Sequence, residues 1–253
     1  MTKPIVISAG GTGGHIFPAQ SLAAELAKRG RKIVLMTDPR GQNYTQAFPN
    51  AEIATVPSAT FAGRGFFGKG AALVTLARGA MRAYGLLGKI KPGCVVGFGG
   101  YPSLPGLVAA SQRGLPALIH EQNAILGRVN RFLAPRVTAI AATFPGMERV
   151  PEGCSQKVFV TGNPVRDSVL ALTDLAYVGP QSGEPFRVLV FGGSQGARVF
   201  SQMLPQAIAG LPDGLRSRLR LEQQCRPEDI EAVRAEYTKM GVQAELATFF
   251  NDM

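Results

Sequence analysis

Short apolar runs alternate with stretches of helical periodicity along the first part of the chain. Each run has the length of a buried strand, and in the segment after it apolar residues recur every three or four positions. This alternation predicts a parallel sheet covered by helices on both faces, the doubly wound α/β architecture. The predicted strands are Ile5–Ser8, Lys32–Met36, Glu52–Val56, Val95–Val96, Ala117–Ile119 and Arg136–Ala141, and the predicted helices are Gly14–Arg29, Ala71–Ile90, Pro102–Arg113 and Leu126–Leu133.

The same layout begins a second time about 180 residues after the first. The segment FRVLVFGGSQGARVFSQML again predicts a strand, a glycine loop and a helix, and the turn-rich stretch before it has no long periodic run. We therefore predict a Rossmann-like domain over 1–163, a linker over 164–185 and the start of a second domain over 186–253. The second domain has room for only about three strands and two helices, so we expect an incomplete sheet and a fragment of a longer protein.

Three glycine-rich loops follow predicted strands. The first has four glycines within residues 10–14, the second contains Gly99 and Gly100, and the third, at 192–196, contains Ser194. The first loop lacks the lysine of a Walker A motif, and Ile16 occupies the position of the last glycine of a dinucleotide fingerprint. Backbone N–H groups at a helix N-terminus attract anions, so we interpret these loops as phosphate-binding. The alternative is a set of tight turns.

His15 ends the first loop and lies in the first turn of the predicted helix. The positive end of the helix dipole disfavours an imidazolium, so we expect a neutral imidazole at pH 7. A neutral imidazole beside a bound phosphate group suits a general base. The alternative is a histidine that only caps the helix or packs against it.

Two further polar segments carry candidate ligand-binding residues. The segment HEQN, residues 120–123, follows an apolar strand. Asn123 either caps the next helix or, with its neighbours, hydrogen-bonds a polyhydroxy ligand, and both interpretations remain open. Arg166, in GNPVR, either clamps a phosphate or lies on the surface.

The net formal charge of +10 is unevenly distributed, since no Asp or Glu occurs from Ile53 to His120. Such a block predicts an anionic partner: nucleic acid, anionic lipid or a phosphorylated substrate. The glycine loop FAGRGFFGKG combines aromatic residues with cations, which is typical of a membrane surface. No nucleic-acid-binding motif supports the first alternative, so we predict no nucleic acid partner. The residues assigned to membrane contact are Phe61, Arg64, Phe66, Phe67 and Lys69.

The helix predicted after this loop is amphipathic. We expect one face, which includes Leu73, Leu76, Met81, Tyr84 and Leu87, to cover the sheet. Three widely spaced cysteines predict neither a zinc site nor disulfides and fit a reducing compartment. The N-terminus has no signal-peptide pattern, and no apolar run has the length of a membrane-spanning helix.

Taken in order, the motifs GGTGGHIFPAQSLAAEL, GFGGYPSLPG, HEQN, GNPVR and GGSQGAR resemble those of the MurG family. These are the peripheral membrane N-acetylglucosaminyltransferases of peptidoglycan synthesis. The resemblance implies a GT-B fold, in which two Rossmann-like domains face a cleft. It also implies inverting transfer of N-acetylglucosamine from UDP-N-acetylglucosamine to the carbon-4 hydroxyl of undecaprenyl-pyrophosphoryl-muramyl-pentapeptide, with no metal or other cofactor. The implied location is the cytoplasmic face of the bacterial plasma membrane, against an anionic membrane surface.

The resemblance assigns a role to each candidate residue. His15 matches the proposed general base of the family, and Tyr101, with Gly99 and Gly100, lies in the loop implied to hold the acceptor. The residues that it implies for UDP-N-acetylglucosamine binding are Thr12, Gly13, Gly14, Asn123, Arg166, Ser194 and Phe250.

Two departures limit what the resemblance transfers. Family members continue for roughly a hundred residues more, so we expect this chain alone to be weakly active or inactive. A His-Gln-x-Gly segment of the family is replaced here by residues 222–225, EQQC, which receive no role. A UDP-sugar epimerase of related fold and a non-catalytic module that binds UDP-sugar or lipid pyrophosphate remain the alternatives.

Overall fold

The structure is a computed structural model, and it describes residues 2–39, 46, 48–61, 65–193 and 198–250. The chain divides into two compact units, one that ends at Thr173 and one that begins at Asp174. Each unit contains a parallel sheet. Over the described ranges, no helix combines the length and the apolar character that a membrane crossing needs. The domain boundaries predicted from the sequence stay a prediction.

The first unit is built on a seven-stranded parallel sheet with the order β3-β2-β1-β4-β5-β6-β7. A short 3-10 turn at Ala134–Arg136 precedes β6, and another at Ser155–Lys157 precedes β7. The strands are β1 Ile5–Ser8, β2 Ile33–Thr37, β3 Ala51–Thr55, β4 Cys94–Gly97, β5 Ala117–Glu121, β6 Ala139–Ala142 and β7 Val158–Val160. The helices are α1 Gly13–Lys28, α2 Phe66–Ile90, α3 Gly100–Gln112, α4 Arg128–Leu133 and α5 Asp167–Leu170.

Both faces of this sheet are buried, as the continuous apolar strands predict. Successive side chains point to opposite faces of a strand, so Val6 packs in one core cluster while Ile5 and Ile7 pack in the other. The first cluster includes residues of α2 and α3, such as Leu87 and Leu107, and the second includes residues of α1. The sheet is therefore a central layer between helices.

The structure adds detail to the sequence predictions at three places. Strand β7 was not predicted, and its three residues are only half-buried or exposed. Helix α2 begins at Phe66, so the second half of the segment predicted as a glycine loop is helical. Helix α5 lies within the segment predicted as a linker.

The orientation of α2 also differs from the prediction. Leu76 and Leu87 are buried as expected, but Leu73, Met81 and Tyr84 are exposed. Small residues complete the buried face instead. They are needed because α2 packs closely against α3 and against the segment that precedes α2 in the chain. A Cβ atom at Gly79 would lie 2.0 Å from the carbonyl oxygen of Pro57, so only glycine allows this approach.

The second unit has a three-stranded parallel sheet with the order β10-β9-β8. Its core includes Tyr237, whose hydroxyl donates to Gln223 Oε1 at 2.6 Å. Burial raises the pKa of this hydroxyl. Its strands are β8 Phe186–Val190, β9 Leu219–Gln224 and β10 Gln243–Ala247, and its helices are α6 Arg198–Ala209, α7 Asp213–Arg216 and α8 Ile230–Lys239.

The close approach of α2 gives a stability prediction. We expect Gly79→Ala to lower the free energy of unfolding by about 1–3 kcal/mol, because the new methyl group overlaps a backbone carbonyl. Urea denaturation of both proteins measures the difference. The matched control is Gly85→Ala on the same helix, where no atom lies within 4 Å of the added Cβ. This control should raise stability by up to about 1 kcal/mol through helix propensity, and equal effects of the two changes would contradict the packing argument.

Candidate active site

The order of three neighbouring strands determines the position of the site. Strand β4 pairs in parallel with β1 on one side and with β5 on the other. The loops after these strands therefore emerge at the same edge of the sheet, where ligands of doubly wound folds bind. His15 follows β1 in the first turn of α1, Gly99 and Gly100 follow β4 at the start of α3, and the HEQN segment covers the last two residues of β5 and the two that follow.

The glycine loop after β4 lies against the imidazole of His15. A Cβ atom at Gly99 would be 3.4 Å from His15 Cε1, and one at Gly100 would be 3.3 Å from His15 Nε2. Both glycines also have a left-handed φ, +85° and +69°. Glycine is required at these two positions for conformational and for steric reasons.

A chain of polar contacts runs from His15 into the interior of the unit. His15 Nδ1 lies 3.2 Å from Gln122 Oε1, and Gln122 Nε2 lies 3.1 Å from His120 Nδ1. His120 Nε2 lies 3.1 Å from the carbonyl oxygen of Gly162. Burial lowers the pKa of His120, and the Gly162 hydrogen bond and the Glu121 charge oppose this only in part. Sequence reasoning gave Gln122 and His120 no individual role, although both lie in HEQN.

Glu121 organises the loop that follows β5. Its Oε1 accepts hydrogen bonds from the backbone N–H and the side-chain amide of Asn123, at 3.1 and 2.8 Å. Its Oε2 accepts from the backbone of Gly127 and from Asn130 Nδ2, both at 2.9 Å. Four donors thus satisfy one buried carboxylate. Helix α4 begins after Gly127, so the interpretation of Asn123 as its cap is wrong.

A cavity of about 960 Å³ opens at this edge of the sheet. Lys69 and Arg128 contribute positive charge to its wall, while the carboxylate of Glu121 already accepts four hydrogen bonds. Within the described residues, the buried Asn130 Oδ1 has no hydrogen-bond partner. Of the residues predicted from the sequence, the cavity is lined by His15, Phe61, Lys69, Gly99, Gly100, Tyr101 and Asn123.

The cavity therefore combines an imidazole, hydrogen-bonding groups and cations. This arrangement can accept a proton and bind a polar, anionic ligand. Among the described residues, no group of three or more His, Cys, Asp or Glu side chains is placed to hold a metal ion.

The other residues predicted from the first loop lie at the start of α1, and Arg166 of GNPVR contacts the same helix. Thr12 is the N-cap residue of α1 and is exposed, Gly13 is buried, and Gly14 is exposed. The Arg166 guanidinium lies 4.8 Å from the ring centre of Phe17, a cation–π contact with this helix. Beside it, Lys28 and Asp167 form an exposed ion pair at 2.9 Å. These residues do not line the described cavity.

The predicted membrane-contact residues have different environments. Phe61 is half-buried, and its ring contacts Tyr101 edge to face, at 5.5 Å between ring centres. Phe67 is 91% exposed. Arg64 and the side chain of Phe66 lie outside the described residues, as does Ser194, predicted to bind the sugar nucleotide. Phe250 lies in the second unit, after β10, and is half-buried.

A largely apolar groove of about 360 Å³ lies between α2, α3 and α4 in the same unit, and Phe61 and Tyr101 line both this groove and the cavity. Helix α2 bears exposed apolar side chains next to it. We call the exposed apolar set the α2 patch, and its members are Phe67, Leu73, Val74, Met81 and Tyr84 of α2 and Phe132 of α4.

Comparison with known proteins places this chain in a family. The model of the glycosyltransferase family 28 N-terminal domain matches residues 5–142, and that of the glycosyltransferase family 28 C-terminal domain matches residues 187–253. The UDP-N-acetylglucosamine--N-acetylmuramyl-(pentapeptide) pyrophosphoryl-undecaprenol N-acetylglucosamine transferase of Rhodospirillum rubrum is 50% identical over 249 residues, 98% of this chain and 64% of that protein. The protein of the same name from Allorhizobium ampelinum is 50% identical over 256 residues, 100% of this chain and 67% of that protein.

Solved structures give the same result. The crystal structure of Acinetobacter baumannii MurG matches with a TM-score of 0.69 at 27% identity, covering 99% of this chain and 68% of that one. The chain spans about two thirds of the length of these relatives. The predicted resemblance to the MurG family and the predicted GT-B class of α/β fold are confirmed. With a family model matched over more than half of its residues, the chain belongs to glycosyltransferase family 28.

Proposed function

We propose that this chain belongs to an inverting N-acetylglucosaminyltransferase and contributes the general base, the acceptor site and part of the donor site. The donor is UDP-N-acetylglucosamine, and the acceptor is undecaprenyl-pyrophosphoryl-muramyl-pentapeptide, whose carbon-4 hydroxyl receives the sugar. The observation that carries the proposal is the position of His15, at a helix N-terminus on the wall of a cation-lined cavity. The activity for which relatives with 50% identity are named supports the choice of substrates.

The proposed mechanism is a direct displacement at the anomeric carbon. His15 takes the proton of the acceptor hydroxyl as its oxygen forms the new glycosidic bond. The bond from the anomeric carbon to the UDP oxygen breaks at the same time, which inverts the configuration. Backbone N–H groups at helix N-termini offset the charge that develops on the leaving diphosphate. The step needs no metal ion or other cofactor.

The candidate residues divide between the two substrates. Tyr101, Gly99 and Gly100 lie beside His15 on the wall of the cavity, which suits the acceptor. Lys69 and Arg128 face the same cavity and suit its pyrophosphate. The residues proposed for UDP-N-acetylglucosamine are Thr12, Gly13, Gly14, Asn123, Arg166, Ser194 and Phe250.

We also propose that the α2 patch lies against the cytoplasmic surface of the bacterial plasma membrane. At 3.6 residues per turn, its five residues on α2 fall within an arc of about 120°. Arg78, Arg82 and Lys89 are exposed beside this arc, and α2 contains no acidic residue. Apolar side chains bordered by cations suit an anionic bilayer. The groove beside the patch would bring the lipid-linked acceptor close to Tyr101.

The base assignment predicts a kinetic effect of His15→Ala. The test protein is this chain completed with the C-terminal third of the Rhodospirillum rubrum relative, assayed for transfer of mass-tagged N-acetylglucosamine to the lipid-linked acceptor. We expect kcat to fall by about 10²- to 10⁴-fold, the usual contribution of a general base, with little change in the KM for UDP-N-acetylglucosamine.

The control is Ser21→Ala, which removes a hydroxyl further along the same helix and should leave kcat unchanged. Undiminished turnover of His15→Ala would show that His15 is not the base. Epimerised UDP-sugar without transfer would favour the epimerase alternative.

The membrane proposal predicts a difference between two exposed methionines. Met81, in the α2 patch, is 67% exposed, and Met203, on α6 of the second unit, is 63% exposed. We expect Met81→Ser to weaken flotation of this chain with phosphatidylglycerol vesicles by about tenfold, which corresponds to about 1.4 kcal/mol of lost apolar burial. Met203→Ser should float like the unchanged chain. Equal flotation of the two variants would reject the α2 patch as the membrane contact.

A further inference from the structure

We infer that Gln122 fixes the tautomer of His15, so that Nδ1 carries the proton and Nε2 keeps the lone pair that faces the cavity. Gln122 would thus be a positioning residue, which touches the base and not the substrate. The catalytic meaning of this inference rests on the proposed function, but the tautomer itself does not. Two backbone carbonyls fix the hydrogen positions along the chain of contacts.

The first fixed point is the carbonyl of Phe98. It lies 3.2 Å from the side-chain nitrogen of Gln122, which donates to it. A flipped amide would place Oε1 at this distance from the carbonyl oxygen, where neither atom has a hydrogen to share. The amide therefore points its oxygen at His15, in agreement with the 3.2 Å contact between Gln122 Oε1 and His15 Nδ1.

The second fixed point is the carbonyl of Gly162. Because this oxygen can only accept, His120 Nε2 must carry a hydrogen to use the 3.1 Å contact. In neutral His120, Nδ1 then has a free lone pair and accepts the second hydrogen of the Gln122 amide at 3.1 Å. The burial that lowers the pKa of His120 favours this neutral form. The Gly162 contact of His120 and the Phe98 contact of Gln122 therefore require the same orientation of the Gln122 amide.

The orientation of the amide decides what His15 can do. Gln122 Oε1 accepts only, so His15 Nδ1 must donate to it. A neutral imidazole has one N–H, which leaves Nε2 with the lone pair. Nε2 is on the side of the ring next to Gly100, and both His15 and Gly100 line the cavity. The other tautomer would break the contact with Gln122 and place a hydrogen where the acceptor proton must arrive.

The composition of the chain makes the inference directly testable. His15 and His120 are its only histidines, so a long-range ¹H–¹⁵N correlation spectrum of the 253-residue protein contains two imidazole rings. His15→Asn assigns them. With both rings neutral, we expect opposite tautomers: a pyrrole-type Nδ1 in His15 and a pyrrole-type Nε2 in His120. A pyrrole-type Nε2 in His15 of the unchanged protein would overturn the inference without any variant of Gln122.

A substitution tests whether Gln122 is the cause. Gln122→Met keeps the length of the side chain and removes both polar atoms, so the ¹⁵N shifts of His15 should move toward a mixture of tautomers. His120 should keep its proton on Nε2, because Gly162 is unchanged. The control is Gln112→Met, at the exposed end of α3, which should leave both rings as they are. Unchanged His15 shifts in folded Gln122→Met would also overturn the inference.

The completed enzyme described above separates this inference from the proposed function. There, Gln122→Met should lower kcat several-fold and leave the KM for UDP-N-acetylglucosamine unchanged, as a loss of base orientation requires. If His15→Ala keeps full turnover while the opposite tautomers are observed, the base assignment fails and the tautomer inference stands. If His15→Ala is inactive while His15 shows a pyrrole-type Nε2, the base assignment stands and the tautomer inference fails.

Discussion

Parallel pairing of β1 with β4, and of β4 with β5, is the constraint on which the site depends. Parallel strands end at the same edge, so the loop after β1 meets segments that come more than eighty residues later in the sequence. The close approach of these loops then requires glycine at Gly99 and Gly100, where any side chain would meet the His15 ring. The fold thus supplies both the position of the imidazole and the reason for the glycines beside it.

Charge on the cavity wall follows from how the buried carboxylate of Glu121 is used. Glu121 accepts four hydrogen bonds from the loop after β5, so its charge is compensated by donors that hold Asn123 and Gly127 in place. The cations on the cavity wall, Lys69 and Arg128, remain to attract anions. A buried acid here organises the loop and leaves the wall electropositive toward a diphosphate.

The sequence predicted the elements better than their contacts. Strand β1 was predicted to the residue, and the placement of His15, Gly99 and Gly100 just after strands followed from glycine spacing, because local propensity determines these features. The buried face of α2 was predicted only in part, because helix packing at Gly79 depends on small size, which hydrophobic periodicity does not register. Gln122 was overlooked because its side chain meets its partners Phe98, His15 and His120 only when the chain is folded, and no local pattern records those contacts.

The choice of an amide to orient His15 is consistent with the proposed leaving group. A carboxylate would orient an imidazole equally well and would also stabilise its protonated form. Placed beside His15, however, it would add a negative charge near the two proposed diphosphate-bearing substrates, and like charges at short distance in a partly buried site repel strongly. A neutral glutamine held by the Phe98 carbonyl and by the His120 ring provides orientation without this repulsion. On this argument, the glycine loops, the compensated Glu121 and the neutral Gln122 all serve one requirement, which is a polar site with little free negative charge.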